Sequence, residues 1–242
     1  MKKTAIVTGA SRGIGRATAL RLAQDGFAVA ANYLSNAAEA DKVVAAIRKA
    51  GGAAIAVQGD VAEPSDVERL FADTTKEFGT VDVVVHNSGI LLNSPIAAGD
   101  VDGFDRVIRT NLRGTFLVLS QAAKQVSPGG RIIALSTTVV ATTPPTYGAY
   151  ATSKAGVEAL VRTLSKEMRG RQITVNAVAP GATTTEMFLE GKSEELLAQL
   201  KKTGPMERFG EPDEIARAVS FLAGPDGAWV NGQVLRVNGG TA

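Results

Sequence analysis

Seven short β-branched or Ala-rich runs alternate with longer amphipathic stretches along the 242-residue chain, and this alternation constrains the fold more than any single residue does. Strands are expected at Thr4–Thr8, Ala28–Tyr33, Ala53–Val57, Val81–His86, Arg131–Ser136, Ile173–Val178 and Gln233–Val237. Helical periodicity falls on Ile14–Gln24, Ala37–Ala50, Pro64–Phe78, Phe104–Gln125, Ala149–Met168 and Pro212–Leu222. Strands separated by helices imply right-handed crossovers and a parallel sheet covered on both faces. The unbroken apolar character of Val83-Val84-Val85 and Ile132-Ile133-Ala134-Leu135 suits strands buried on both sides. The pattern predicts an α/β fold with a seven-stranded parallel sheet, doubly wound as one domain over residues 1–242. No linker or repeat divides the chain, and the polar stretch at about 183–204 is long for a connection, as substrate lids are.

Composition narrows the chemistry. With no cysteine and a single histidine, His86, there is no disulfide framework, no Cys/His metal site and no thiol nucleophile. The expectation is that no metal is bound and that His86, at a strand end, is structural. Lys and Arg number 26 against 24 Asp and Glu, dispersed without basic blocks, so nucleic acid is not expected as a partner. No run of about 18 apolar residues occurs, and Met1-Lys2-Lys3 leads straight into the first strand without a signal-peptide pattern, so the expected location is cytoplasmic, away from membranes.

The first strand runs into Thr8-Gly9-Ala10-Ser11-Arg12-Gly13-Ile14-Gly15 and then a helical pattern. Glycines there allow a sharp turn and close approach of backbone N–H groups to a pyrophosphate, while the helix N-terminus supplies partial positive charge. A glycine trio alone is a weak signal; its place between strand and helix strengthens it. Tyr150 and Lys154 lie four apart in a helical pattern, hence on one face, where an ammonium favours the phenolate of a tyrosine otherwise titrating near pH 10.

The G-x-x-x-G-x-G turn resembles that of the short-chain dehydrogenase/reductase family. The resemblance spans essentially the whole chain: Asp60-Val61 after the third strand, Asn87-Ser88-Gly89 after the fourth, Asn111 in the following helix, Tyr150-Ala-Thr-Ser-Lys154, and Pro180-Gly181 after the sixth. It implies a Rossmann domain binding a nicotinamide cofactor through Gly9, Ser11, Arg12, Gly13, Ile14, Gly15, Asp60, Val61, Asn87, Ser88, Gly89, Tyr150, Lys154, Pro180, Gly181, Thr183 and Thr185. In relatives that prefer NAD an acidic residue ends the second strand, and here that position is Tyr33. With no carboxylate there, and with Arg12, Ser35 and Asn36 able to meet a 2′-phosphate, NADP(H) is the expected cofactor.

The same resemblance implies that Tyr150 passes its proton to a substrate carbonyl and that Lys154 lowers the tyrosine pKa. Asn111 would hold a relay water. The family's substrate-binding serine is replaced: Thr137 and Thr138 both remain possible by register, and Ser136 is the only serine in the stretch. Similarity to bacterial 3-oxoacyl-acyl-carrier-protein reductases would imply a carrier-protein site, for which Arg171 matches one of two arginines and Ser127-Pro128-Gly129 supplies no second. The expected activity is NADPH-dependent reduction of a 3-oxoacyl thioester or a small ketone or aldehyde, in a homotetramer. The alternatives are a catalytically silent NADP(H)-binding or sensing protein and, disfavoured for want of a C-terminal substrate domain, a nucleotide-sugar epimerase.

Overall fold

The computed structural model describes residues 3–242, so the expected lead-in at Met1 and Lys2 lies outside the described residues. Seven parallel strands form one sheet in the order β3-β2-β1-β4-β5-β6-β7. They are β1 (Thr4–Val7), β2 (Ala28–Tyr33), β3 (Ala54–Gln58), β4 (Val81–His86), β5 (Val126–Leu135), β6 (Thr174–Pro180) and β7 (Val234–Val237). Chain order reverses between β1 and β4, and in such sheets ligands bind beyond the carboxyl ends of the strands at that switch point.

Alternate residues of each strand enter separate cores. Ile6, Val84 and Ile132 point to one face, and Ala5, Val7, Val83, Val85 and Ile133 to the other. The first face is covered by α3 (Pro64–Phe78), α5 (Gly114–Gln125) and α7 (Gly148–Glu167), through Phe71, Val118 and Val157. The second is covered by α1 (Gly13–Gln24), α2 (Ala37–Lys49) and α10 (Pro212–Ala223), through Leu22, Ile47 and Leu222. Local signals agree with these limits. Asn36 caps α2 by accepting from Glu39 N at 3.2 Å, and Pro64 opens α3, where its missing N–H is harmless. Gly79 ends α3 at φ 88°.

The structure departs from the sequence expectation at several points. Strand β5 begins five residues early because Val126 pairs with Val81 ahead of a bulge. The helix expected over Phe104–Gln125 is broken into α4 (Val101–Val107), a π-helical turn (Ile108–Arg113) and α5. The turn widens around Asn111, whose side chain bonds the loop after β4 rather than solvent, and π-turns of this kind gather at functional sites. A short α6 (Val139–Thr142) follows β5. The stretch at about 183–204 carries α8 (Glu186–Leu189) and α9 (Glu194–Lys202). Among the described residues no helix is long and apolar enough to cross a membrane.

Candidate active site

A cleft of about 560 Å³ opens at the carboxyl ends of the strands around the β1/β4 switch point. At one end the chain leaves β1 through Thr8, whose hydroxyl accepts from Asn87 N at 3.0 Å and Ser88 N at 3.1 Å. Asn87 Nδ2 in turn donates to the carbonyls of Thr8 and Gly9, both at 3.1 Å. These bonds fix the glycine turn to the end of β4. Gly9 and Gly13 adopt φ of 61° and 53°, which side chains disfavour. A β-carbon on Gly15 would lie 2.2 Å from Gly9 O, so α1 packs against the turn only through a glycine. The first turn of α1 has no side-chain cap, which leaves its N–H groups for an anion. A β-carbon on Gly89 would approach Asn111 Oδ1 at 3.2 Å and Lys154 Nζ at 3.5 Å. A smooth glycine-lined trough ending on uncapped N–H groups fits a dinucleotide pyrophosphate.

The cleft wall gathers Gly9, Ser11, Arg12, Gly13, Ile14, Ser35, Asn36, Asp60, Val61, Asn87, Ser88, Gly89, Thr137, Thr138, Tyr150, Lys154, Pro180, Gly181, Thr183 and Thr185. Three expected residues stand apart from it. Gly15 lies behind the turn. Tyr33 ends β2 in register with Gln58 and is not in the wall, where the next residue, Leu34, stands. Asn111 is fully buried, its Oδ1 accepting from Ile90 N at 2.8 Å and its Nδ2 donating to Ile90 O and Ser153 Oγ at 2.9 and 3.1 Å. With its amide so engaged and its carbonyl accepting from Thr115 Oγ1, it braces the wall rather than facing the cleft.

Beside the glycine turn Arg12 is exposed and pairs with Glu186 at 3.1 Å, while Asn36 spends its carbonyl oxygen on the α2 cap. Asp60 accepts from Ala62 N at 2.9 Å and from Arg109 at 3.0 Å. Arg109 also grips Glu63, and the two carboxylates hold its guanidinium pKa above the usual range. Arg109, Glu186, Leu34 and the buried Asn32, which ties β2 to Val57 O and Gly59 O, carry no motif that singles them out in the sequence. Thr185 caps α8 and its methyl would lie 3.3 Å from a β-carbon on Gly13, so α8 folds over the glycine turn.

At the other end stand Tyr150, Lys154 and the hydroxyls that follow β5. The three hydroxyls after β5 separate: Ser136 donates to Glu158 at 2.8 Å, Thr138 accepts from Asn238 Nδ2 at 3.1 Å, and Thr137 meets Tyr150. Burial pushes the Tyr150 phenol up to about 12, against the opposing hydrogen bond from Thr137. Burial lowers Lys154 to about 8, and its ammonium donates to Leu135 O at 2.7 Å. Desolvation is the largest cause of both shifts. His86 is 1% exposed, bonds Thr8 Oγ1 through Nδ1 at 3.1 Å, and is lowered to about 3, first by burial and then by the Lys154 charge. Among the described residues no cluster of His, Asp and Glu is arranged to hold a metal ion.

The resemblance to carrier-protein reductases implies a place for Arg171 near the mouth of the site. Arg171 lies instead before β6, at the opposite pole of the sheet, where its guanidinium donates to Ala123 O and to Val126 O at 2.6 Å.

Comparison with known proteins sets this geometry in context. Residues 9–242 match the family profile described as enoyl-(acyl carrier protein) reductase. A short-chain type dehydrogenase/reductase of Picea abies is 45% identical, covering 98% of this chain and 92% of the relative. An NADPH-dependent aldehyde reductase-like chloroplastic protein of Arabidopsis thaliana is 42% identical, covering 98% and 93%. A 3-oxoacyl-[acyl-carrier-protein] reductase of Staphylococcus aureus is 40% identical, covering 99% and 98%. The crystal structure of a short chain dehydrogenase from Burkholderia cenocepacia in complex with NADP superimposes with a TM-score of 0.93 at 35% identity, over 99% of this chain and 97% of that one.

Proposed function

The chain belongs to the short-chain dehydrogenase/reductase family of oxidoreductases, and from that premise we propose that it is an NADPH-dependent reductase converting a carbonyl to an alcohol, with Tyr150 as proton donor. The observation that carries the reading is the convergence of Thr137, Tyr150 and Lys154 at the end of a glycine-lined cleft. The nicotinamide cofactor, when bound, supplies the hydride and, once oxidised, a positive charge. Gly9, Ser11, Gly13 and the free N–H groups of α1 would hold its pyrophosphate, with Val61 and Asp60 at the adenine and Lys154 at the nicotinamide ribose. Arg12 and Ser35 would meet the 2′-phosphate, where no side chain of β2 or of the residue after it brings a negative charge.

Tyr150 stays protonated at neutral pH because burial disfavours its phenolate, so it is poised to give a proton to the substrate oxygen. Thr137 steadies that oxygen by hydrogen bonding, a task that needs an oriented hydroxyl and no nucleophilicity. The neighbouring Lys154 ammonium offsets the negative charge left on Tyr150. Leu91, Met187 and Phe188 give the substrate end an apolar wall, and α8 with α9 is read as its lid. A small ketone or aldehyde is favoured over a carrier-bound 3-oxoacyl thioester, because Arg171 is engaged by backbone carbonyls. A homotetramer completes the reading. The test is NADPH and NADH consumption across a carbonyl panel that includes acetoacetyl thioesters: kcat/KM is expected to favour NADPH at least tenfold, and equal values would refute the cofactor assignment.

A further inference from the structure

The substrate end of the cleft carries a second phenol that proton transfer does not use. Tyr147 lines the cleft three residues ahead of Tyr150, so the two side chains leave the start of α7 on one side. Their rings meet edge to face, with centroids 6.4 Å apart and planes at 68°. A charge on Tyr147 would disfavour ionisation of Tyr150, which places the two phenols in one electrostatic neighbourhood.

The backbone that delivers Tyr147 is strained. Thr143 and Thr146 adopt φ of 42° and 72°, left-handed values that β-branched residues rarely take, on either side of Pro144-Pro145. Thr146 O accepts from Ser94 N at 2.9 Å, tying this turn to the loop that follows β4. Strain of this kind persists where surrounding structure enforces it, and it gathers at ligand sites. Here it fixes the residue immediately before Tyr147.

The polar groups nearby each have a partner within the protein. Ser136 donates to Glu158, Thr137 meets Tyr150, Thr138 contacts Asn238, and Lys154 donates to Leu135 O. The Tyr147 hydroxyl makes no hydrogen bond among the described residues. We propose that Tyr147 is a specificity residue: its phenol donates a second hydrogen bond to the substrate and so selects neutral carbonyl compounds bearing another oxygen on the adjacent carbon. Two phenols in edge contact at one end of the cleft can meet two oxygens carried close together on one substrate, with the apolar remainder lying against Leu91, Met187 and Phe188. The substrate class is thus vicinal dicarbonyls with an apolar substituent, of which one carbonyl accepts hydride and proton and the other stays intact on Tyr147. This inference rests on the carbonyl-reductase reading of the same cleft.

Tyr147→Phe keeps the ring and its edge contact while removing the donor. The experiment measures NADPH consumption by wild type and variant with 1-phenyl-1,2-propanedione and with 1-phenyl-2-propanone, comparing the two enzymes within each substrate so that intrinsic electrophilicity cancels. The variant is expected to lose about tenfold or more in kcat/KM for the dione and less than about twofold for the monoketone, since a donor built for a substrate oxygen discriminates only where that oxygen exists. Equal losses on both substrates, or no loss on the dione, would overturn the role of Tyr147 alone. A wild type that consumes NADPH with neither substrate would overturn the reductase reading and this inference together.

Discussion

Desolvation governs the ionisable residues that matter in this protein. Tyr150, Lys154 and His86 are each pushed toward their neutral forms by burial, to about 12, 8 and 3. His86 shows what this means for stability. Its Nδ1 sits against a Thr8 hydroxyl that already accepts two backbone N–H groups, so the hydroxyl proton points at Nδ1 and the neutral ring carries its proton on Nε2. The unfolded chain binds a proton at His86 below about 6.5, and the folded chain does not until about 3. Stability from this residue is therefore complete above pH 6.5 and declines as pH falls from 6.5 toward 3. Thermal melts from pH 7.5 to 4.5 are expected to show a smaller fall for His86→Gln than for the wild type, and parallel curves would contradict the assignment. Much at this scale was legible in sequence: the Tyr150/Lys154 spacing, the glycines, and the scaffold role of His86. Thr137 was not separable from Thr138, because which hydroxyl faces Tyr150 depends on how the chain turns from β5 into α6. Tyr33 and Leu34 were not separable either, because which of them lines the cleft depends on where β2 ends.

Element types follow from periodicity, and element ends from caps and breakers. Interruptions are harder to see. The stretch from Phe104 to Gln125 reads as one helix because its apolar spacing survives the π-turn, whose cause, the pairing of Asn111 with Ile90, joins residues 21 apart. The early start of β5 likewise depends on a pairing with Val81 across the sheet. The α4–α5 unit also leaves Val101, Phe104 and Phe116 at 65%, 43% and 57% exposure, and Trp229, between α10 and β7, stands 98% exposed. Aromatic side chains left in water on two separate elements match the two interfaces a tetramer requires. Light scattering is expected to give the mass of four 25.0 kDa chains, with Phe116→Asp and Trp229→Asp each lowering it; a 25.0 kDa wild-type species would refute the assembly.

At the scale of the molecule, a sheet buried on both faces leaves its strand ends as the natural place for a ligand, and reversal of chain order between β1 and β4 opens the cleft there. Topology brings β1, β4, β5, β6 and α7 to one edge, so a glycine turn near residue 10, a tyrosine at 150 and the short helix α8 meet although far apart in sequence. The same topology sends Arg171 to the opposite pole, which no linear motif reveals. The most direct measurement is made on Tyr150→Phe, following NADPH binding and carbonyl reduction on the same preparation. Loss of the proton donor is expected to lower kcat/KM by about 10²–10⁴ while the NADPH Kd stays within about threefold. Undiminished reduction by the variant would contradict the account.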